Sequence, residues 1–227
     1  MTGAFMSQLL PLAPPAASPP SFAGAFQADL DTLLTWRRDV RRFRTDPVPE
    51  PLVEALLARA HLAPSVGNSQ PWRFVRVRSP ERIEAVAADF AACNARAQNA
   101  QPPERQAAYA ALKVEGLREA PVQMAVFCDD TTAQGHGLGQ ATMPETRAYS
   151  VVLAIHTLWL AARAQGLGVG WVSILSPEVV TRSLEVPAGW RFIAWLCIGW
   201  PEQALGIPEL ETAGWQDRAE RPVVVER

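Results

Sequence analysis

The sequence predicts an α+β domain with about four core strands covered by helices on both faces. Three observations carry this. The chain has 227 residues, 48% of them hydrophobic, which is enough to enclose one sizeable core. Strand-like composition occurs at residues 72–77, 122–128, 169–175 and 190–200, and the second run is almost continuously apolar, as a strand covered on both faces must be. The stretches between these runs carry helical apolar spacing, and no internal repeat or second domain is visible.

Residues 1–25 form a leader that is apolar and rich in proline. It lacks a basic n-region, so the expectation is a disordered or surface-hugging segment and not a signal peptide. Residues 26–227 form the single domain. Its first helix is expected over 26–38, with Phe26, Leu30, Leu33 and Leu34 at helical spacing. It must have ended before Thr45-Asp46-Pro47. Prolines at 47–51 open a second helix whose buried stripe is Leu52, Leu56, Leu57 and Ala60, with His61 as a partner near its end. The turn-forming residues 63–72 then lead into the first strand. Ser79-Pro80-Glu81 reads as an N-cap, and Ile83, Val86, Ala87 and Phe90 supply that helix's apolar face. A further helix carrying Lys113 is expected over 104–119.

Residues 129–143 form a loop with three glycines, Gly135, Gly137 and Gly139, either a lid or a long crossover. The helix that follows is apolar almost all round, which predicts a central, buried element with His156 as a core histidine. Gly166 stops it. Ser176-Pro177-Glu178 caps a short helix before the last core strand. The terminal Val223-Val224-Val225 predicts an edge strand added to a sheet, most simply a partner's.

Several function classes are excluded. A net charge of −2 gives no electrostatic reason to expect nucleic acid. The longest apolar stretch, around 151–162, is too short to span a bilayer. Three widely separated histidines and three scattered cysteines offer no metal spacing, and they suit a reducing, cytoplasmic setting with inert thiols. Gly166-Leu167-Gly168-Val169-Gly170-Trp171 is not a dinucleotide loop, because a helix precedes it and a strand follows. Those glycines instead predict close approach of a flat ligand or a packed neighbour.

The candidate site begins at Trp36-Arg37-Arg38-Asp39-Val40-Arg41-Arg42-Phe43-Arg44, where five arginines surround one carboxylate. It is either a basic helix end with Asp39 as an internal partner, or a phosphate clamp in which Asp39 has a separate task and stays ionised. Ser65, Asn68 and Gln70 are either turn formers or a rim that grips a ligand's heteroatoms. Ser173 stands out as a polar residue in an apolar run.

Together, Arg-Arg-x-x-Arg-x-Phe, Pro-Ser-x-x-Asn-x-Gln-Pro-Trp, Gly-Leu-Gly-x-Gly-Trp and a C-terminal arginine resemble the FMN-dependent nitroreductase superfamily over about residues 30–218. The resemblance implies a central mixed sheet of about four to five strands flanked by helices, in a domain-swapped homodimer with flavins at the interface. It implies flavin contacts from Arg37, Arg38, Val40, Arg41, Ser65, Asn68, Gln70, Lys113 and Arg218. Asp39 in Arg-Arg-Asp-Val-Arg-Arg-Phe, with Gly-Val-Gly-Trp-Val-Ser-Ile-Leu, is more similar to the 5,6-dimethylbenzimidazole synthase branch. That branch uses O2 to fragment reduced FMN, with no metal, and yields the lower-ligand base of vitamin B12. In that reading Asp39 and Ser173 are catalytic, and a separate flavin reductase supplies reduced FMN. The alternatives are an NAD(P)H-dependent nitro- or flavin reductase of the same fold, and a non-catalytic flavin-binding protein in which Asp39 and Ser173 are dispensable.

Overall fold

The computed structural model describes residues 21–203 and 205–227, so most of the expected leader lies outside the described residues. At its centre are two strands, β2 (Val122–Asp129) and β4 (Trp190–Gly199). β1 (Trp72–Val77) pairs outside β2 and β3 (Gly168–Val172) outside β4, giving the order β1-β2-β4-β3. All three ladders are antiparallel, which corrects the expected mixed sheet. Between β1 and β2 the chain makes two helical passes, α3 (Pro80–Asn99) and α4 (Pro103–Ala110), instead of the single crossover that returns a strand in parallel. Parallel pairing is confined to one isolated bridge, between Asp39 and Val169.

Alternation along β2 builds two core layers. Met124, Val126 and Cys128 pack in one cluster with α2 (Glu50–Ala60) and α5 (Thr146–Ala164). Ala125 and Phe127 pack in the other with α3 and α6 (Pro177–Leu184). Both faces of β2 are therefore covered, as its apolar run requires, and every residue of the strand is buried. Burial pushes the Cys128 thiol up to about 12 and raises that of Cys197 as well, so both are inert at neutral pH.

The first helix, α1 (Gly24–Trp36), starts and stops two residues before the expected span. Arg37 is already extended, because Val40 N–H donates to Val169 O (3.0 Å) and draws the chain onto the β3 edge. Residues 111–120 are not helical either. Gln123, almost fully buried in β2, donates to the carbonyls of Gly116, Leu117 and Ala120 at 3.3, 2.9 and 3.0 Å. Its own carbonyl accepts from Trp195 Nε1 at 2.6 Å. The Leu117 and Ala120 carbonyls are thus satisfied from the sheet, and that of Gly116 accepts both from the same side chain and from Ala120 N–H (3.0 Å). Gly116 also presses on the Phe43 ring, where a side chain would collide.

His61 ends α2, as expected, and its Nδ1 accepts from Trp72 Nε1 (3.2 Å). His156 is exposed, not a core residue, because it shares a face of α5 with the exposed Tyr149, Val152 and Leu153. β3 ends at Val172, three residues earlier than expected, leaving Ser173 exposed beyond it. Ser176 precedes α6, but its side chain makes no capping bond. Val223–Val225 forms no strand within the chain, and all three valines are exposed. No helix among the described residues is long and apolar enough to cross a membrane.

Candidate active site

The bridge to β3 sets the site. Gly168 and Gly170 leave room for it. A Cβ on Gly168 would sit 2.7–2.9 Å from three Val40 side-chain atoms, and one on Gly170 would fall on the Val40 carbonyl oxygen. The packed neighbour expected of these glycines is therefore Val40, by its side chain at Gly168 and its backbone at Gly170. Docked this way, Asp39 Oδ1 accepts from Trp171 N–H (2.9 Å), and Oδ2 accepts from Arg41 Nε (2.6 Å) and Nη2. Arg41 Nη1 donates in turn to Val114 O.

Asp39 is half-buried and lines a cavity of about 340 Å3 together with Arg37, Arg38, Arg41, Lys113, Glu209 and Arg218. Burial pushes its carboxyl above the usual aspartate range, although Arg41 and the Trp171 N–H both favour the anion. The expectation that its neighbours simply hold it ionised is corrected to that extent: desolvation outweighs them.

The cations differ in how far they are committed. Arg41 is taken by Asp39 and Val114 O, and Lys113 Nζ by Glu119 (2.8 Å) and Glu115 (3.3 Å). Burial lowers the Lys113 pKa, but Glu119 and Glu115 outweigh it and hold the ammonium above its ordinary value. Arg37 stacks over the Trp159 ring at 5.1 Å. Neither Arg37 nor Arg218 has a carboxylate partner among the described residues. Arg38 donates to Arg37 O (2.8 Å) and Gly206 O (2.6 Å), while its buried Nε has no partner. Burial and the neighbouring charges of Arg37, Arg218 and Arg163 pull its pKa down. Cations crowded without matching acids, with a buried donor left open, offer the hydrogen-bond donors that an anion takes up.

Ser65, Asn68 and Gln70 lie elsewhere in the chain. Ser65 Oγ accepts from Gln70 N (3.1 Å), and Val66 N donates to Ser150 Oγ (3.0 Å) near the start of α5. Residues 129–143 pack on this loop: Gln134 Nε2 donates to Asn68 O (2.9 Å) and to Gln70 Oε1 (3.0 Å). Arg37 and Arg38 meet α5 at Trp159, whose Nε1 donates to Arg38 O (3.1 Å). Nine residues separate Ser150 from Trp159, about 14 Å along a helix. One chain therefore holds the two groups apart, one near the start of α5 and one near its end. Ser173 makes no hydrogen bond among the described residues and is not part of the arginine cavity.

Sequence reasoning missed three contributors. Trp171 supplies a backbone donor, Trp159 the stacking plane, and Glu209 the second acid of the cavity. Trp171 was within reach, since it directly follows the glycines that admit the Asp39 segment. Glu209 had no signal beyond an acid after a proline.

Comparison with known proteins places this geometry among relatives. The model of the Nitroreductase family matches residues 34–200. The chain is 66% identical over 205 residues to 5,6-dimethylbenzimidazole synthase of Rhodospirillum rubrum, covering 90% of this chain and 97% of that one. It is 52% identical over 188 residues to the synthase of Rhodobacter capsulatus, covering 83% and 91%. In structure it is similar to oxidized iodotyrosine deiodinase bound to FMN and 3-iodo-L-tyrosine, with a TM-score of 0.66, 23% identity and coverage of 87% and 97%. A nitroreductase-like protein of Streptococcus mutans matches with a TM-score of 0.60 at 21% identity, covering 86% and 100%. At those identities the two structures speak for the fold alone.

Proposed function

Because this chain belongs to the nitroreductase family, we propose that its arginine cavity receives the phosphate of FMN and that the chain fragments reduced FMN to 5,6-dimethylbenzimidazole. The observation that carries the activity is 66% identity to a synthase over nearly the whole of both chains. The residues present fit FMN. Arg37, Arg218 and the open Nε of Arg38 offer donors to a phosphate that no acid among the described residues takes up.

Bound reduced flavin would supply both the electrons for O2 and the carbon skeleton of the product. The chain's own task is to hold its ligand and to manage protons. Asp39 is oriented by Arg41 and the Trp171 N–H, and its raised proton affinity makes it a stronger base than an ordinary aspartate. Arg41 and Lys113 act chiefly by holding Asp39 and the wall of residues 113–119. Ser173, two residues past Trp171, has a hydroxyl free to hydrogen-bond the ligand. Incubating the protein with reduced FMN in air tests the activity. Flavin should disappear and the benzimidazole appear, with no metal added. Quantitative recovery of FMN, with steady NADPH oxidation, would put the reductase in its place.

The complete site needs a second copy of the chain. Tyr149, Val152 and Leu153 on α5, and Phe26, Leu30 and Leu34 on α1, form exposed apolar surface that one chain leaves bare. Two copies packed with their α5 helices antiparallel about a twofold axis would set residues 65–70 of one beside Arg37 and Arg38 of the other. Tyr149→Lys with Leu153→Lys should shift the mass in solution from dimer to monomer and abolish FMN binding. Retention of tight FMN binding by a monomeric variant would refute the shared site.

A further inference from the structure

The acids of the arginine cavity are not equivalent. Asp39 is neutralised within it by Arg41. Glu209 lines the same cavity, but its ion-pair partner, Arg42, lies outside: Arg42 Nε to Glu209 Oε1 is 3.3 Å. Arg42 lines instead a neighbouring cavity of about 240 Å3 with Arg163, while Arg38, Asp39, Arg41 and Glu209 border both cavities. Glu209 thus borders both cavities, with its carboxylate paired to a cation that lines only the second, outer one.

The backbone fixes this arrangement. Arg42 O accepts from Glu202 N (3.1 Å), and Arg38 Nη2 holds Gly206 O (2.6 Å). Glu202 and Gly206 are thereby strapped to the arginine segment, and Pro208 directs the chain into α7 (Glu209–Thr212), placing Glu209 at its first position. A carboxylate carried on such a strap has a choice of cations. Arg37, Arg38 and Arg218 line the first, inner cavity, and they are the groups a phosphate needs.

We propose that Arg42 is a positioning residue for anion binding: it retains the Glu209 carboxylate on the outer wall and so prevents it from occupying the cations reserved for the ligand's phosphate. This rests on the reading of the cavity as a phosphate site. Without Arg42, Glu209 swings inward and competes with the incoming anion.

Calorimetric titration of the full-length protein with FMN, riboflavin and inorganic phosphate tests this without reference to turnover. Arg42→Ala should weaken FMN binding about fivefold, the size expected of one partly exposed charge, and leave riboflavin binding unchanged. Arg42→Lys should restore it. Glu209→Gln should tighten FMN binding, and Arg42→Ala in the Glu209→Gln background should have no further effect. If Arg42→Ala is just as harmful in that background, Arg42 acts directly or through packing and the proposal is overturned. Parent-like FMN affinity in Arg42→Ala overturns it equally. Equal affinity of the parent for FMN and riboflavin would instead defeat the flavin-phosphate reading. The inorganic phosphate series would then still decide whether Arg42 governs Glu209.

Discussion

Asp39→Asn is expected to bind reduced FMN at least as well as the parent and to form less than about 1% of its benzimidazole, the loss that follows removal of a well-placed general base. The substitution keeps the side chain's size and leaves an oxygen for the Trp171 N–H, now 2.9 Å from Oδ1. It removes the proton acceptor and one negative charge from a cavity lined by five cations. Flavin should return from the variant as ordinary FMN. Benzimidazole formation at the parent's rate would remove Asp39 from the chemistry. The same variant reports on ionisation. Burial raises the Asp39 pKa in the folded chain, so the fold binds that proton more tightly than the unfolded chain does. The stability this provides is full below the unfolded value, near 3.9, and is lost as pH rises through the folded value. Without ligand, Asp39→Asn should therefore gain melting temperature relative to the parent over the interval that begins near pH 4 and runs upward through the raised folded value. A gap that closes over that interval would mean Arg41 and Trp171 outweigh burial.

Gly170→Ala is expected to be the most damaging single-methyl change in the site. The new methyl falls on the Val40 carbonyl oxygen, and backbone on both sides must move. That displacement threatens the Val40 N to Val169 O bond (3.0 Å) and the Trp171 N to Asp39 bond (2.9 Å). Overpacking and two weakened hydrogen bonds add to roughly 3–5 kcal/mol. Melting should fall by about 10 °C in a chain of this size, with FMN binding weakened by about two orders of magnitude. Gly168→Ala meets only the Val40 side chain and should be milder. Parent-like melting and FMN affinity for Gly170→Ala would show that the β3 bridge does not set the site.

The sequence carried the sheet well and the connections less well, for reasons of range. β1, β2 and β4 lie between turn formers and are β-branched or aromatic, so local chemistry marks them. The end of α1 and the loss of helix at 111–120 were not local. Val169 determines the first, and the Gln123 side chain with Phe43 determines the second. Arg37, Arg38, Asp39, Arg41, Lys113 and Arg218 do converge on one cavity. Lys113 and Arg218 were legible through family resemblance alone, since no spacing in the chain links them to the arginines. That resemblance also joined Ser65, Asn68 and Gln70 to the set, whereas the fold separates them within one chain.

The attachment of the arginine segment has a dynamic consequence. No residue of α1 is buried within the chain, and between Trp36 and Phe43 the backbone is tied to the sheet at a single bridge. Phe43, fully packed against Gly116 and Gly199, is the first firm anchor. In a single chain residues 24–40 should therefore open as one unit while both core layers stay closed. Amide exchange there should be governed by this partial opening, and in β2 by global unfolding. Arg37 and Arg38, the proposed phosphate donors, ride on that unit, so ligand occupancy and ordering of the amino-terminal segment would become one linked equilibrium. Each factor of ten in free ligand above Kd protects the segment by a further 1.4 kcal/mol or so, without adding anything to the intrinsic stability of the sheet.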